Sequence, residues 1–216
     1  MGEPLMKRYS NSTIFTIVLL VILASSADAQ VGRGKFGFGL SAGPSLMQSD
    51  LKTNEVSYGA SVDLSYALEN NFGLTSSLGF DSYSGKNYAN QNALSTVFRG
   101  HFAASYDFLP KQVLNPFVYG GGGMMFFYPR IDNGPSLITG WSNPWNFYLV
   151  GGVGVDYFID ESWSLIVAGE GTYTFSDRMD GYKSGVDDSF LRVSVGVRYY
   201  LFDRSTVQRI VDAVRR

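Results

Sequence analysis

Cysteine is absent from this chain, so disulfides, thiolate metal sites and cysteine nucleophiles are all excluded. Histidine occurs once, at His101, which removes any pair of imidazoles for a metal or an acid–base relay. Charge is scarce: Asp, Glu, Lys and Arg make up 17% of the 216 residues, against about 25% in soluble domains. The formal net charge of −2 is too small to draw the chain to nucleic acid or to an anionic surface. Long apolar runs are missing as well. Ile14 to Ala24 spans eleven residues, broken by Thr16, whereas a membrane-crossing helix needs about 20. If the mature chain enters a membrane, it must do so as a closed barrel, because only closure satisfies every backbone N–H and C=O in lipid.

Aromatic residues, at 15%, and glycine, at 25 copies, are plentiful. Few charges with many aromatics and glycines suit a β-protein solvated by lipid rather than water. The N-terminus carries an address. Lys7 and Arg8 precede the short apolar run, and Ala27-Asp28-Ala29 follows it with the small-x-small pattern that signal peptidase accepts. Cleavage is expected between Ala29 and Gln30. The predicted organisation is a signal peptide over 1–29, one domain over 30–202 and a short tail over 203–216.

Alternation of period two dominates the domain. From Val56 to Leu68 the even positions are Val, Tyr, Ala, Val, Leu, Tyr and Leu, and the odd ones Ser, Gly, Ser, Asp, Ser and Ala. Thirteen alternating residues form a strand signal of the length a tilted membrane-spanning strand needs, about 9–11 residues plus its interfacial ends. The pattern recurs from Phe36, Phe72, Leu94, Phe147, Trp163 and Leu191. Phe117 to Tyr128 reads as a strand by its Val, Tyr and Phe content, although the run Gly120 to Gly123 hides its parity. This predicts eight strands. Short connections fall at 69–71, 109–116 and 160–162, longer polar ones near 47–55, 82–93, 129–146 and 176–188. Short periplasmic turns and longer external loops are the asymmetry of outer-membrane barrels.

Orientation follows from what each face can touch. One face is Phe, Leu, Val and Tyr; the other is mostly Gly, Ser, Ala and Thr with isolated charges. Small residues belong inside a narrow barrel and bulky apolar ones against lipid, with aromatics such as Tyr66, Phe72, Phe108, Tyr157, Trp163 and Tyr199 at the interfaces. The chain is therefore expected to be an all-β, transmembrane, antiparallel up-and-down barrel of eight strands.

The inward parity collects Asp63, Arg99, His101, Asp107, Asp156, Glu170, Arg192 and Arg198. Eight strands leave an interior just wide enough for side chains. These groups are therefore read as a salt-bridged plug, with a gated polar pore as the alternative. No nucleophile, metal-ligand set or cofactor motif emerges, so no catalytic residue, metal or cofactor is expected. Gly120–Gly123 lacks the Lys-Ser/Thr of a phosphate loop; it reads as room for large neighbours or strand curvature. Trp141 and Trp145 anchor a binding surface or pack on the rim. In the tail, Val207, Ile210, Val211 and Val214 stand at helical spacing.

The eight-strand layout and the last strand, Ser194-x-Gly196-x-x-Tyr199-x-Leu201, resemble small outer-membrane β-barrel proteins of the OmpA/OmpX type. The resemblance covers about residues 31–202. It implies a Gram-negative outer membrane, periplasmic chaperones and the barrel-assembly machinery during biogenesis, and Ser194, Gly196, Tyr199 and Leu201 as the assembly signal. That signal usually ends on an aromatic residue, where Leu201 stands here. Larger members carry a peptidoglycan-binding domain beyond the barrel, and the fourteen residues from Asp203 are too few for one. A non-enzymatic structural or surface-interaction role is expected, with a narrow solute channel and a membrane-embedded lipid-modifying enzyme as alternatives. The loops' partner stays open.

Overall fold

The computed structural model describes residues 35–48, 52–86, 92–131, 144–176 and 187–202. They form eight strands: β1 (Phe36–Gln48), β2 (Thr53–Ala67), β3 (Phe72–Lys86), β4 (Asn92–Asp107), β5 (Leu114–Ile131), β6 (Trp145–Phe158), β7 (Trp163–Thr174) and β8 (Ser189–Phe202). Each pairs antiparallel with its neighbours in sequence, and β8 closes onto β1. The predicted leader and tail lie outside the described residues, as does Trp141.

The alternation in the sequence becomes an inside-out burial pattern. On β2, Tyr58 is 70% exposed and Leu64 49%, while Ser57 and Ser61 on the alternate face are buried in the lumen. Large apolar side chains face outward around the barrel, among them Phe102, Leu78, Leu149 and Val195. So much exposed apolar surface is untenable in water and matches a hydrocarbon solvent. Rings pair at the short-turn end: Phe36 with Tyr66 and Phe72 with Tyr106 at centroid distances of 4.9 Å, Trp163 with Tyr199 at 4.7 Å. Phe126 and Trp145 pair at 5.4 Å at the opposite end. Such rings, apolar in body and polar at the tip for Tyr and Trp, suit the two interfaces.

The strands outrun the bilayer. β3 has 15 residues and β5 has 18, whereas a tilted crossing takes about 9–11. On β3 the outward positions are apolar from Phe72 to Phe80, apart from Ser76, and then become Ser82, Ser84 and Lys86. This corrects the expected connections at 47–55 and 82–93. Pairing runs on through Thr53↔Lys86 and Lys86↔Asn92, so only 49–52 and 87–91 remain between strands. Polar residues there signal departure from lipid, not departure from the sheet. The long connections are two, 132–144 and 175–188; at the short-turn end, β5 begins at Leu114, so the second short turn is 108–113 rather than 109–116.

The structure settles the parity of β5. Phe117, Tyr119, Met125 and Phe127 point inward, and Val118, Met124 and Tyr128 point outward. A Cβ on inward Gly121 or Gly123 would strike the carbonyl oxygen of Phe102 or Gly100 on β4. Gly152 and Gly154 on β6 lie opposite Tyr119 and Phe117, whose rings occupy the space a Cβ would need.

Candidate functional site in the barrel lumen

The inward side chains stack in layers between the two ends. At the long-connection end an apolar layer comprises Met47, Tyr83, Val97, Met125, Phe127, Tyr148, Val150 and Phe190. Tyr83 and Phe190 pack at 5.2 Å between ring centroids, drawing β3 and β8 together across the lumen.

Beneath it lies an ionic layer. Arg99 on β4 donates from Nε to Asp81 Oδ2 on β3 at 2.7 Å and from Nη1 to Glu170 Oε1 on β7. Tyr119 on β5 donates its hydroxyl to Glu170 Oε2 at 2.7 Å. Arg192 on β8 places Nε 3.9 Å from Asp81 Oδ1 and donates to Ser61 Oγ on β2 at 3.5 Å. Six strands are thereby tied through one layer. Arg99, Arg192 and Asp81 are all under 5% exposed. Charges so buried persist when paired and hydrogen-bonded; Arg99 has both with Asp81 and Glu170, whereas Arg192 faces Asp81 as an ion pair without a hydrogen bond. His101 Nδ1 lies 3.0 Å from the Tyr148 hydroxyl, a hydrogen bond between β4 and β6.

Next comes a polar chamber of about 80 Å³, lined by serine and threonine hydroxyls together with Asp63, Asp107, Glu170, Arg192 and Arg198. Ser41 Oγ lies 2.8 Å from Ser61 Oγ and donates to Asp63 Oδ2 at 3.4 Å. At the short-turn end Arg198 donates to Asp156 Oδ2 at 2.9 Å and to the Tyr200 hydroxyl at 3.3 Å. Asn115 donates to Asp107 Oδ1 at 2.7 Å. A second apolar cluster of Ala67, Phe158 and Tyr200, with Val113 against it, covers that end.

The structure thus places all eight sequence-derived charged and imidazole residues inside but does not join them in one network. Arg99, Glu170 and Arg192 belong to the upper layer, Asp156 and Arg198 to the lower, and His101 bonds a tyrosine. Asp63 and Asp107 make no ion pair with another described residue; this corrects the expectation that the interior charges pair throughout. The sequence reading missed Asp81, on which both upper arginines converge. Continuing the β3 parity two residues past Gly79 finds it. It also missed Tyr119, Tyr148 and Tyr200, because bulky residues were assigned to lipid.

The residues of the expected assembly signal sit at the closure of the barrel. Ser194 lines the chamber, and a Cβ on Gly196 would meet Leu40 and Ser41 of β1. Tyr199 stacks on Trp163, and Leu201 faces lipid.

Among the described residues no group of three or more His, Asp or Glu converges as metal ligands.

Solved structures share this architecture. Neisserial surface protein A superposes with a TM-score of 0.52 at 15% identity, covering 77% of this chain and 97% of that one. OprG from Pseudomonas aeruginosa gives a TM-score of 0.52 at 13% identity, covering 80% and 99%. Ail, the attachment invasion locus protein of Yersinia pestis, in complex with the heparin analogue sucrose octasulfate, gives 0.50 at 13% identity, covering 78% and 99%. At these identities the likeness is one of fold. No curated protein matches the sequence. The model of the outer membrane protein beta-barrel domain matches residues 15–202, and the chain belongs to that family of outer-membrane β-barrels.

Proposed function

We propose that this protein is a closed, non-enzymatic barrel of the outer membrane whose role is structural or surface interaction. The observation that carries this reading is the ionic layer of Asp81, Arg99, Glu170 and Arg192 lying directly beneath the apolar layer of Tyr83, Phe127, Tyr148 and Phe190. A conducting pore needs a continuous hydrated path, and water-filled lumens belong to barrels of roughly 16 strands. A lipid-modifying enzyme needs a nucleophile and base meeting at the rim; His101 is instead buried and bonded to Tyr148. The parts left to act on other molecules are the external connections, of which 132–144 and 175–188 are the longest.

The same reading includes export through a leader cleaved before Gln30, and chaperone and assembly-machinery contacts during biogenesis. The test of closure is ionic current across a planar bilayer holding the purified protein. The expected result is no steady current above the lipid background. Stable, ion-selective steps would overturn the closed barrel in favour of a channel.

A further inference from the structure

Two outward glycines, Gly151 on β6 and Gly171 on β7, are not explained by their neighbours. Inward Gly152 and Gly154 make room for the rings of Tyr119 and Phe117. On the lipid face, a Cβ on Gly151 would meet nothing nearer than 3.9 Å, and one on Gly171 nothing nearer than 3.6 Å. Glycine weakens a strand interior, and its use there marks a place where a ligand or another backbone comes close. The packing of this barrel does not demand it at these positions. The outward residues beside them are bulky: Leu149 and Val153 on β6, Tyr173 on β7 and Leu191 on β8.

The register sets Gly151 opposite Gly171, and Gly171 opposite Leu191. One step nearer the long-connection end, Leu149 stands opposite Tyr173, Tyr173 opposite Ser189, and Ser189 opposite Gln48 of β1. Together they shape a hollow of about 380 Å³ with a glycine floor, flanked by Leu149 and Leu191. Both leucines are more than half exposed, so at this depth the wall meets hydrocarbon. The external lip is polar. Ser189 Oγ donates to Gln48 Oε1 at 3.4 Å, and the Tyr173 hydroxyl donates to Asp187 Oδ2 at 2.6 Å. Asp187 is exposed, and no Lys or Arg lines the hollow. Polarity thus runs from an acidic, hydrogen-bonding lip to an apolar floor, as it does along a lipid standing in its leaflet.

We propose that this hollow binds one membrane lipid, with an acyl chain over Gly151 and Gly171 and an ammonium-bearing headgroup against Asp187 and Gln48. The bare floor lets the chain touch the backbone, and dispersion contacts of this kind are lost when a gap opens. A headgroup with a phosphate and no ammonium is opposed by the Asp187 carboxylate, since no cation stands at the lip to offset it. A second copy is a poorer occupant. Two-fold pairing about the membrane normal would bring its own Asp187 to the same lip at the same height. The site lies outside the lumen, so it stands whether or not the barrel conducts.

Native mass spectrometry of the protein in micelles doped with equal amounts of dimyristoyl phosphatidylethanolamine and dimyristoyl phosphatidylglycerol tests the site. The wild type should retain one phosphatidylethanolamine in preference to phosphatidylglycerol. Gly171→Leu and Gly151→Leu, which fill the floor, should lose the bound lipid. Asp187→Asn should keep a lipid but lose the preference between headgroups. Where a leucine blocks folding, Gly151→Ala, whose Cβ has open space, should weaken retention. Undiminished retention by the folded glycine variants overturns the site, as does equal retention of the two lipids by the wild type. A dimer mass that the same variants abolish also overturns it, assigning the hollow to a second copy.

Discussion

Arg99 reaches Asp81 by lying along the barrel wall over a glycine. The register of β3 and β4 sets Gly79, not Asp81, opposite Arg99. A Cβ at Gly79 would come 3.1 Å from Arg99 Nε and 3.3 Å from its Cγ, so the bare backbone leaves a track for the side chain. Gly59 on β2 plays the same part for Asp81, whose carboxylate occupies the space a Cβ there would need. The ion pair and the two glycines form one steric unit.

Removing Asp81 should therefore be the most damaging single change in the lumen. Asp81→Ala leaves Arg99 with Glu170 only and Arg192 with no carboxylate within 4 Å. Breaking a buried pair in this way costs about 3–5 kcal/mol. The measurement is a urea titration of the protein folded in lipid vesicles, and a loss under about 1 kcal/mol would show that water already screens the pair.

The glycines sort by what stands beside them. Gly152→Ala drives a methyl into the Tyr119 ring, whose hydroxyl serves Glu170, and should destabilise by about 1–3 kcal/mol. Gly169→Ala, with nothing within 4 Å of its Cβ position, should change stability by less than about 0.5 kcal/mol. Comparing the two variants under identical refolding conditions checks this, and equal effects would mean that glycine acts through the backbone, not through neighbours.

The face assignment predicts a depth profile. Leu64→Arg and Val195→Arg place a charge in mid-bilayer and should each cost about 2–4 kcal/mol. Ser84→Arg, beyond the apolar stretch of β3 that ends at Phe80, should cost no more than about 1 kcal/mol. Equal tolerance at Leu64 and Ser84, read from folding titrations in vesicles, would mean that lipid does not surround these strands.

The strand number, the up-and-down order and the inside-out faces were all legible in the sequence because lipid imposes a strict period of two on each strand. What was illegible depends on register and on the third dimension. Asp81 follows the last lipid-facing residue of β3, so an apolar count ends one residue short of it. Tyr119 and Phe117 point inward because Gly152 and Gly154 lie opposite, and no single strand records its partner. The connections near 47–55 and 82–93 looked like loops because strands that leave the bilayer turn polar without leaving the sheet. Likewise, parity alone put Asp63 and Arg99 on the same inner face; the ion-pair geometry separates their fates.

The last prediction concerns which layer seals the barrel. Glu170→Ala removes one acceptor of Arg99 and the partner of the Tyr119 hydroxyl, yet Asp81 still holds Arg99. The apolar layer above it, with Phe127 and Phe190 each no more than 2% exposed, is untouched. Apolar constrictions block ions by excluding water, so they close a pore without any salt bridge. Glu170→Ala should therefore lower stability and remain silent in a planar bilayer. Phe127→Ala alone should also be silent, because the bonded arginine and carboxylates lie beneath it. The double variant Glu170→Ala with Phe127→Ala opens both layers on the β5–β7 side and should conduct. Current from Glu170→Ala alone would show that the ionic layer is the sole seal and the aromatic layer only packing. Silence in a folded double variant would place the barrier lower, at Phe158 and Tyr200, where the second apolar cluster covers the short-turn end.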